Sequence, residues 1–143
     1  MNRFLLFGLL LLPLLAPAQR RTVFSPEAPP PIGPYSQGVL AGNTLYVAGQ
    51  IALVGSTGQL QNANVRAETL QVMNNLAAVL KAADMSFANV VKVTIYLQDL
   101  GDFQAVNAVY AEFFKENPPA RETVQVAALP RGAKVEISCV AVR

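Results

Sequence analysis

Val91-Lys92-Val93-Thr94-Ile95-Tyr96-Leu97-Gln98 is the stretch that decides the fold. Val91, Val93, Ile95 and Leu97 alternate with Lys92, Thr94, Tyr96 and Gln98, the period of a strand with one face in a core. Thr94 and Tyr96 on the second face predict that this face is only partly covered. Before the strand lies a helical pattern from about Asn64 to Ala83. There Leu70, Met73, Leu76, Ala77, Leu80 and Ala83 recur at spacings of three and four, with Val65 and Val72 broadening the stripe. After the strand, Asp102 is placed to cap a second helix whose buried side is Phe103, Val106, Tyr110, Phe113 and Phe114. That helix ends before Pro118-Pro119.

Outward from this centre, Val39-Leu40-Ala41 and Thr44-Leu45-Tyr46-Val47-Ala48 flank Gly42-Asn43, a two-residue hairpin signal. Residues 19–34 carry Pro26, Pro29, Pro30, Pro31 and Pro34, and predict a surface segment without ladder bonds. At the C-terminal end two further strands are separated by the turn Leu129-Pro130-Arg131-Gly132. In the first, Arg121, Thr123 and Gln125 share one face. In the second, Val135, Ile137, Cys139 and Ala141 lie opposite Glu136, Ser138, Val140 and Val142. The order strand, strand, helix, strand, helix, strand, strand predicts an α+β fold, a mixed sheet with two helices on one face. The apolar residues on the other face predict association of subunits there.

The first residues read as a leader. Arg3 precedes an apolar run from Phe4 to Leu15, and Ala16-Pro17-Ala18 supplies small residues at a cleavage site before Gln19. A run of that length covers only about 18 Å as a helix, against about 30 Å of hydrocarbon, so no stable membrane anchor is expected after cleavage. Residues 1–18 are thus expected to be a signal peptide, 19–143 a single domain, and the product periplasmic or secreted. The 11 basic and 9 acidic residues of the chain become 10 and 9 without Arg3, a net charge of +1. With no clustered basic patch, nucleic acid is not an expected partner.

The chemical inventory excludes a good deal. The chain has 0 His and 1 Cys. This set suits neither a zinc site nor a Ser-His-Asp or Cys-His nucleophile. Gly55-Ser56-Thr57-Gly58 lacks the G-K-[ST] of a phosphate loop. No metal and no cofactor is expected. Arg121 stands out as a permanent charge at the mouth of a strand-like tail, able to grip a carboxylate with two parallel bonds. It can equally form a structural ion pair with Glu122 or Glu136. Glu136 can orient water or shuttle a proton, or be simply solvated.

Several stretches together resemble the YjgF/YER057c-like, or Rid, family, and within it the RidA subgroup of enamine/imine deaminases. They are Ile32-Gly33-Pro34-Tyr35-Ser36-Gln37, Leu45–Ile51, Val90–Leu97, Phe103–Asn107 with Tyr110, Pro119-Ala120-Arg121, and Val126–Gly132 running into Val135-Glu136-Ile137. The resemblance implies a chorismate-mutase-like fold and a homotrimer with a ligand cleft at each subunit interface. It also implies that Arg121 grips the substrate carboxylate and that Glu136 holds or activates the attacking water. Tyr35, Asn107 and the backbone at Gly49 match residues that line or contact the same cleft. Position 122 is Glu where relatives usually carry a small residue, and strand parity turns it away from Arg121.

The expected reaction is hydrolysis of 2-aminoacrylate or 2-iminobutanoate-type intermediates to 2-oxo acids and ammonia. Such imines are already electrophilic, so positioning and one proton-handling carboxylate suffice. Two alternatives stand beside it: an exported protein that binds small carboxylates without turnover, and a ribonuclease-like activity.

Overall fold

The structure, a computed structural model, describes residues 19–143. The expected signal peptide, residues 1–18, lies outside the described residues. Six strands form one sheet: β1 (Arg20–Val23), β2 (Gly38–Ala41), β3 (Thr44–Gln50), β4 (Val90–Leu97), β5 (Ala120–Gln125) and β6 (Val135–Val142). Their spatial order is β1-β2-β3-β6-β4-β5. Only β4 and β5 run parallel; the other pairs are antiparallel. Helices α1 (Val65–Ala82) and α2 (Phe103–Phe113) pack on each other, and α1 lies against β3 and β6. The α+β class and the hairpin at Gly42-Asn43 are as the sequence predicts, with Gly42 at φ 59°. Among the described residues no helix is long and apolar enough to cross a membrane.

The core is sealed by one face of the sheet and one face of each helix. Val93, Ile95 and Leu97 of β4 and Val135, Ile137, Cys139 and Ala141 of β6 meet Val72, Met73, Leu76, Val79 and Leu80 of α1. Each Val, Ile, Leu and Met side chain among them contributes about 1.5–3 kcal/mol by leaving water. Cys139 is buried, and burial pushes its thiol up to about 12, which makes it inert.

Four local expectations need correction. Arg20–Val23 forms an edge strand on β2, because the prolines begin only at Pro26 and leave its N–H groups free to pair. At the start of β4 a register shift between Val90 and Lys92 ejects Val91, which is 49 % exposed, and Val90 takes the core position. Asp102 makes no side-chain cap. The chain enters α2 through a 3-10 turn over Leu100–Asp102, capped by Asp99, whose Oδ1 accepts the Gly101 N–H at 2.8 Å.

The fourth concerns α1. Asn64 caps it by accepting the Ala67 N–H, but Leu70 faces solvent while Glu68, Thr69 and Asn75 are buried. The stripe is turned because irregular backbone packed beside α1 needs polar partners. Asn75 Nδ2 donates to the carbonyls of Ile51 (3.1 Å) and Leu53 (2.9 Å). Glu68 Oε2 accepts the Lys134 N–H at 2.8 Å. Gln37 does similar work across the proline segment: its Oε1 accepts the Ser25 N–H, and its Nε2 donates to the carbonyls of Ser25 and Pro29.

These side chains stand in for absent ladder partners. Asn75→Ala would leave the Leu53 carbonyl without a donor and the Ile51 carbonyl with only the Leu53 N–H. It is expected to lower stability by about 1–3 kcal/mol in urea unfolding with an unchanged m-value.

Candidate active site

Arg121 lies near the start of β5, which leaves the Pro118-Pro119 corner and pairs in parallel with β4, Val93 opposite Arg121. Sharing a face with Val93 turns the arginine toward the helix layer. Its Cζ stands 4.8 Å from the ring centroid of Tyr110 and 5.8 Å from that of Phe103, so two rings of α2 stabilise and orient the guanidinium. Asn107 falls between those rings in sequence, four residues after Phe103 and three before Tyr110, on the same helix stripe. Among the described residues Arg121 forms no ion pair; the salt bridges are Lys81–Glu27 and Lys92–Glu122. The structural pairing that its sequence left open is therefore absent.

Two polar groups nearby escaped the sequence reading. The hydroxyls of Tyr110 and Thr123 are buried with no hydrogen-bond partner. Burial pushes the Tyr110 phenol up to about 12, with the Arg121 charge pulling the other way. Thr123 shares the strand face of Arg121, and that parity is the signal that singles it out. A face with a cation and unpaired hydroxyls is suited to an anion with several acceptor oxygens.

Glu136 sits elsewhere. It is opposite Tyr96 in the antiparallel pair of β6 and β4, and so projects from the face away from the helices. Beside it β3 carries a bulge: Val47 pairs with Cys139 and Gln50 with Ile137, so Ala48 and Gly49 together span the single position of Ser138. The bulge brings the Gly49 backbone against the Glu136 carboxylate, where any Cβ would overlap Oε1. Ile32, Tyr35, Ile51 and Pro130 complete a cavity of about 280 Å³ with these two residues. Its walls are mostly apolar, and burial raises the Glu136 pKa. A larger and more open recess of about 610 Å³ shares Tyr35 but runs along Arg20, Val39 and Tyr46 and has no carboxylate.

Glu122 is turned away from Arg121, as parity predicts. It forms a salt bridge with Lys92, and its Oε1 accepts the Thr94 hydroxyl at 2.8 Å. Those bonds, the Lys92 one first, hold its carboxyl below the usual range. It does not compete for Arg121.

The chain thus divides its candidate residues into two groups. Tyr35, Gly49 and Glu136 converge on one cavity. Arg121 and Asn107 belong to the helix-side face at β5, the far edge of the sheet. One copy of the chain does not bring the two groups together. Among the described residues no cluster of His, Cys, Asp or Glu has the makings of a metal site.

With this geometry in view, likeness to known proteins is informative. The family model described as endoribonuclease L-PSP matches residues 25–143, and the chain belongs to that family, the YjgF/Rid family its motifs resemble. The human protein named 2-iminobutanoate/2-iminopropanoate deaminase is 48% identical over 124 residues, 87% of this chain and 90% of its own length. Among solved structures, the YjgF gene product of E. coli has a TM-score of 0.82 at 41% identity, covering 86% of this chain and 98% of that one. E. coli TdcF, solved with bound serine, has a TM-score of 0.83 at 37% identity, with 86% and 98% covered.

Gly49 gives the site a sharp test. Its φ lies outside the left-handed region, so an alanine needs no strained backbone, and the three atoms nearest to its Cβ all belong to Glu136. Gly49→Ala is expected to displace that carboxylate and lower kcat by at least about 10-fold in an imine-hydrolysis assay, while the melting temperature stays within a few degrees.

Proposed function

We propose that this protein hydrolyses 2-imino acids, and their enamine tautomers of the 2-aminoacrylate type, to 2-oxo acids and ammonia. The observation that carries the reading is Arg121: a guanidinium held over two aromatic rings, beside unpaired hydroxyls, with no carboxylate of its own. Such a charge is set up to receive the carboxylate of a ligand. Relatives named as 2-iminobutanoate/2-iminopropanoate deaminases, and a structural neighbour holding serine, support a small amino-acid-like ligand.

The chemistry then follows from the groups present. Arg121 fixes the substrate carboxylate, with Asn107 beside it and Tyr35 against the substrate side chain. Glu136, as the carboxylate, takes a proton from water while the oxygen bonds to the C=N carbon. The C=N π electrons move to nitrogen, which takes a proton from solvent water. Glu136 then returns its proton to the amino group of the tetrahedral adduct. The C–N bond breaks as the hydroxyl gives its remaining proton back to solvent and becomes the C=O, and ammonia leaves with the 2-oxo acid. Water supplies every atom gained, so no oxidant or cofactor enters the balance. An apolar wall around Glu136 raises its basicity, which suits a general base.

Because Arg121 and Glu136 face opposite sides of the sheet, a complete site needs a second copy. We assign that role to a homotrimer in which the face carrying Tyr46, Val124, Val140 and Val142 is covered by neighbouring subunits. In the single chain Tyr46 is 53 % and Val124 is 43 % exposed, a costly face to leave in water. The described endoribonuclease activity of the family is the second reading. RNA cleavage that persists in an Arg121→Ala, Glu136→Gln double variant would place it outside this site.

Arg121→Ala is expected to lower kcat/KM on 2-iminobutanoate by about 10²- to 10³-fold, chiefly through KM. Glu136→Gln should lower kcat by about 10²-fold or more. The base must be ionised, and its pKa is raised above 4.5, so kcat/KM should fall with decreasing pH through a value above 4.5. The same shift means that ionised Glu136 opposes folding once the pH exceeds its folded pKa. Glu136→Gln should therefore melt a few degrees higher than the wild type at pH 7.

We further propose that residues 1–18 direct export and that the periplasmic or secreted protein begins at Gln19. Mass spectrometry of the protein recovered outside the cytoplasm should give that N-terminus. Full-length protein retained in the cytoplasm would overturn the assignment.

A further inference from the structure

A carboxylate withdrawn from water is costly to keep, and Glu68 is 0 % exposed in the first turn of α1. Its Oε2 accepts the Lys134 N–H at 2.8 Å, a bond between positions 66 residues apart. Its Oε1 is buried without a partner. The N-terminal end of the helix dipole offsets part of that cost. What the residue holds in return is the start of β6, two positions before Glu136.

That stretch is short of other support. On the β4 side it is paired: Leu97 faces Val135, and the Gln98 N–H reaches the Lys134 carbonyl at 3.0 Å. On the β3 side the ladder resumes after the bulge at Ala48-Gly49 with Gln50 opposite Ile137 and ends there, where β3 ends. Upstream the chain makes a tight turn over Pro130–Gly132, with Arg131 at φ 55° and Gly132 at φ 70°. Both are left-handed, and for Arg131 that conformation is strained. Glu68 supplies the acceptor for the backbone between that turn and the strand. Pro130 of the turn and Glu136 of the strand are walls of one cavity. A strand advances about 3.3 Å per residue, so a shift at Lys134 is passed to Glu136 with little loss over two positions.

We infer that Glu68 is a positioning residue: by holding the Lys134 amide it sets where the Glu136 carboxylate stands against the reacting carbon. The inference rests on the assignment of Glu136 as the base. Glu68 forms no hydrogen bond or ion pair with Arg121, whose partners are the rings of Phe103 and Tyr110.

The test is a series of Glu68→Ala, Glu68→Asp and Glu68→Gln in the full protein, with 2-iminobutanoate hydrolysis and amide hydrogen exchange at Lys134 as readouts. Glu68→Ala should speed exchange at Lys134 by at least about 100-fold and lower kcat by about 10- to 100-fold, with KM within about threefold. Glu68→Gln keeps an acceptor oxygen at the same reach and should restore both readouts. Should the alanine variant not fold, Glu68→Asp, shorter by one methylene, serves in its place and should lose protection and kcat together. Any folded variant in which Lys134 loses protection while kcat keeps the wild-type value overturns the inference. So does one that keeps protection yet loses kcat. Glu136→Gln separates the two claims. Wild-type turnover in that variant means that Glu136 is not the base, whereas its inactivity beside a Glu68 series with unchanged kcat removes the positioning role alone.

Discussion

Alternation of side chains along a strand is the constraint on which this molecule depends. Successive residues point to opposite faces, and a sheet with helices on one side gives those faces different fates. Arg121 takes the helix side and stacks on Phe103 and Tyr110. Glu136 takes the open side, beside Gly49 and Tyr35. The same parity sends Glu122 to Lys92 and Thr94, away from the arginine one position before it. A one-residue slip of β5 against β4 would bury Glu122 against α2 and expose Arg121, so the register of this edge pair is also the register of the site.

The parallel pairing of β4 and β5 and the bulge in β3 then act on that constraint locally. A parallel partner needs a crossover, and α2 is that crossover, which is why the residues that orient Arg121 come from it. The bulge spends one residue of ladder to move the Gly49 backbone toward Glu136. Beyond Gln50 the start of β6 is bordered by β4 alone, and Glu68 of α1 accepts its Lys134 N–H. Asn75 and Gln37 serve other irregular segments, the backbone at Ile51 and Leu53 and the proline-rich entry.

Most elements were legible because their signals are periodic. Strand alternation from Val93 to Leu97 and from Val135 to Ala141 placed the core faces, and Asn64 marked the start of α1. What escaped notice was aperiodic or depended on distant partners. Arg20–Val23 has no alternating pattern, since it is an edge strand with little to bury. Val91 satisfied the alternation, yet a bulge removed it. Leu70 fitted the apolar stripe better than Glu68 or Asn75, but the carbonyls and amide those residues satisfy belong to segments 22 to 66 positions away. Within the site, Arg121 and Glu136 were visible as charges in strand-like surroundings. Their separation on two faces follows from combining parity with the position of the helices, which required the topology.

Unpaired charge is the feature that distinguishes a receptive site from a structural one. A buried or half-buried arginine ordinarily finds a carboxylate, because leaving it alone forfeits the attraction that offsets its desolvation. Here the nearest acid in sequence is engaged with Lys92, and the acid on β6 is on the wrong face. The aromatic rings offer partial compensation without occupying the donor fork. Glu136 is the complement: among the described residues it pairs with no cation, its environment favours the neutral form, and it holds its proton more readily for that reason. Were the two paired within one chain, each would quench the other and neither would be available to a ligand. Keeping them apart on the two faces of one sheet leaves each free of the other, as the proposed anchor and base require, and the proposed homotrimer would join them across copies.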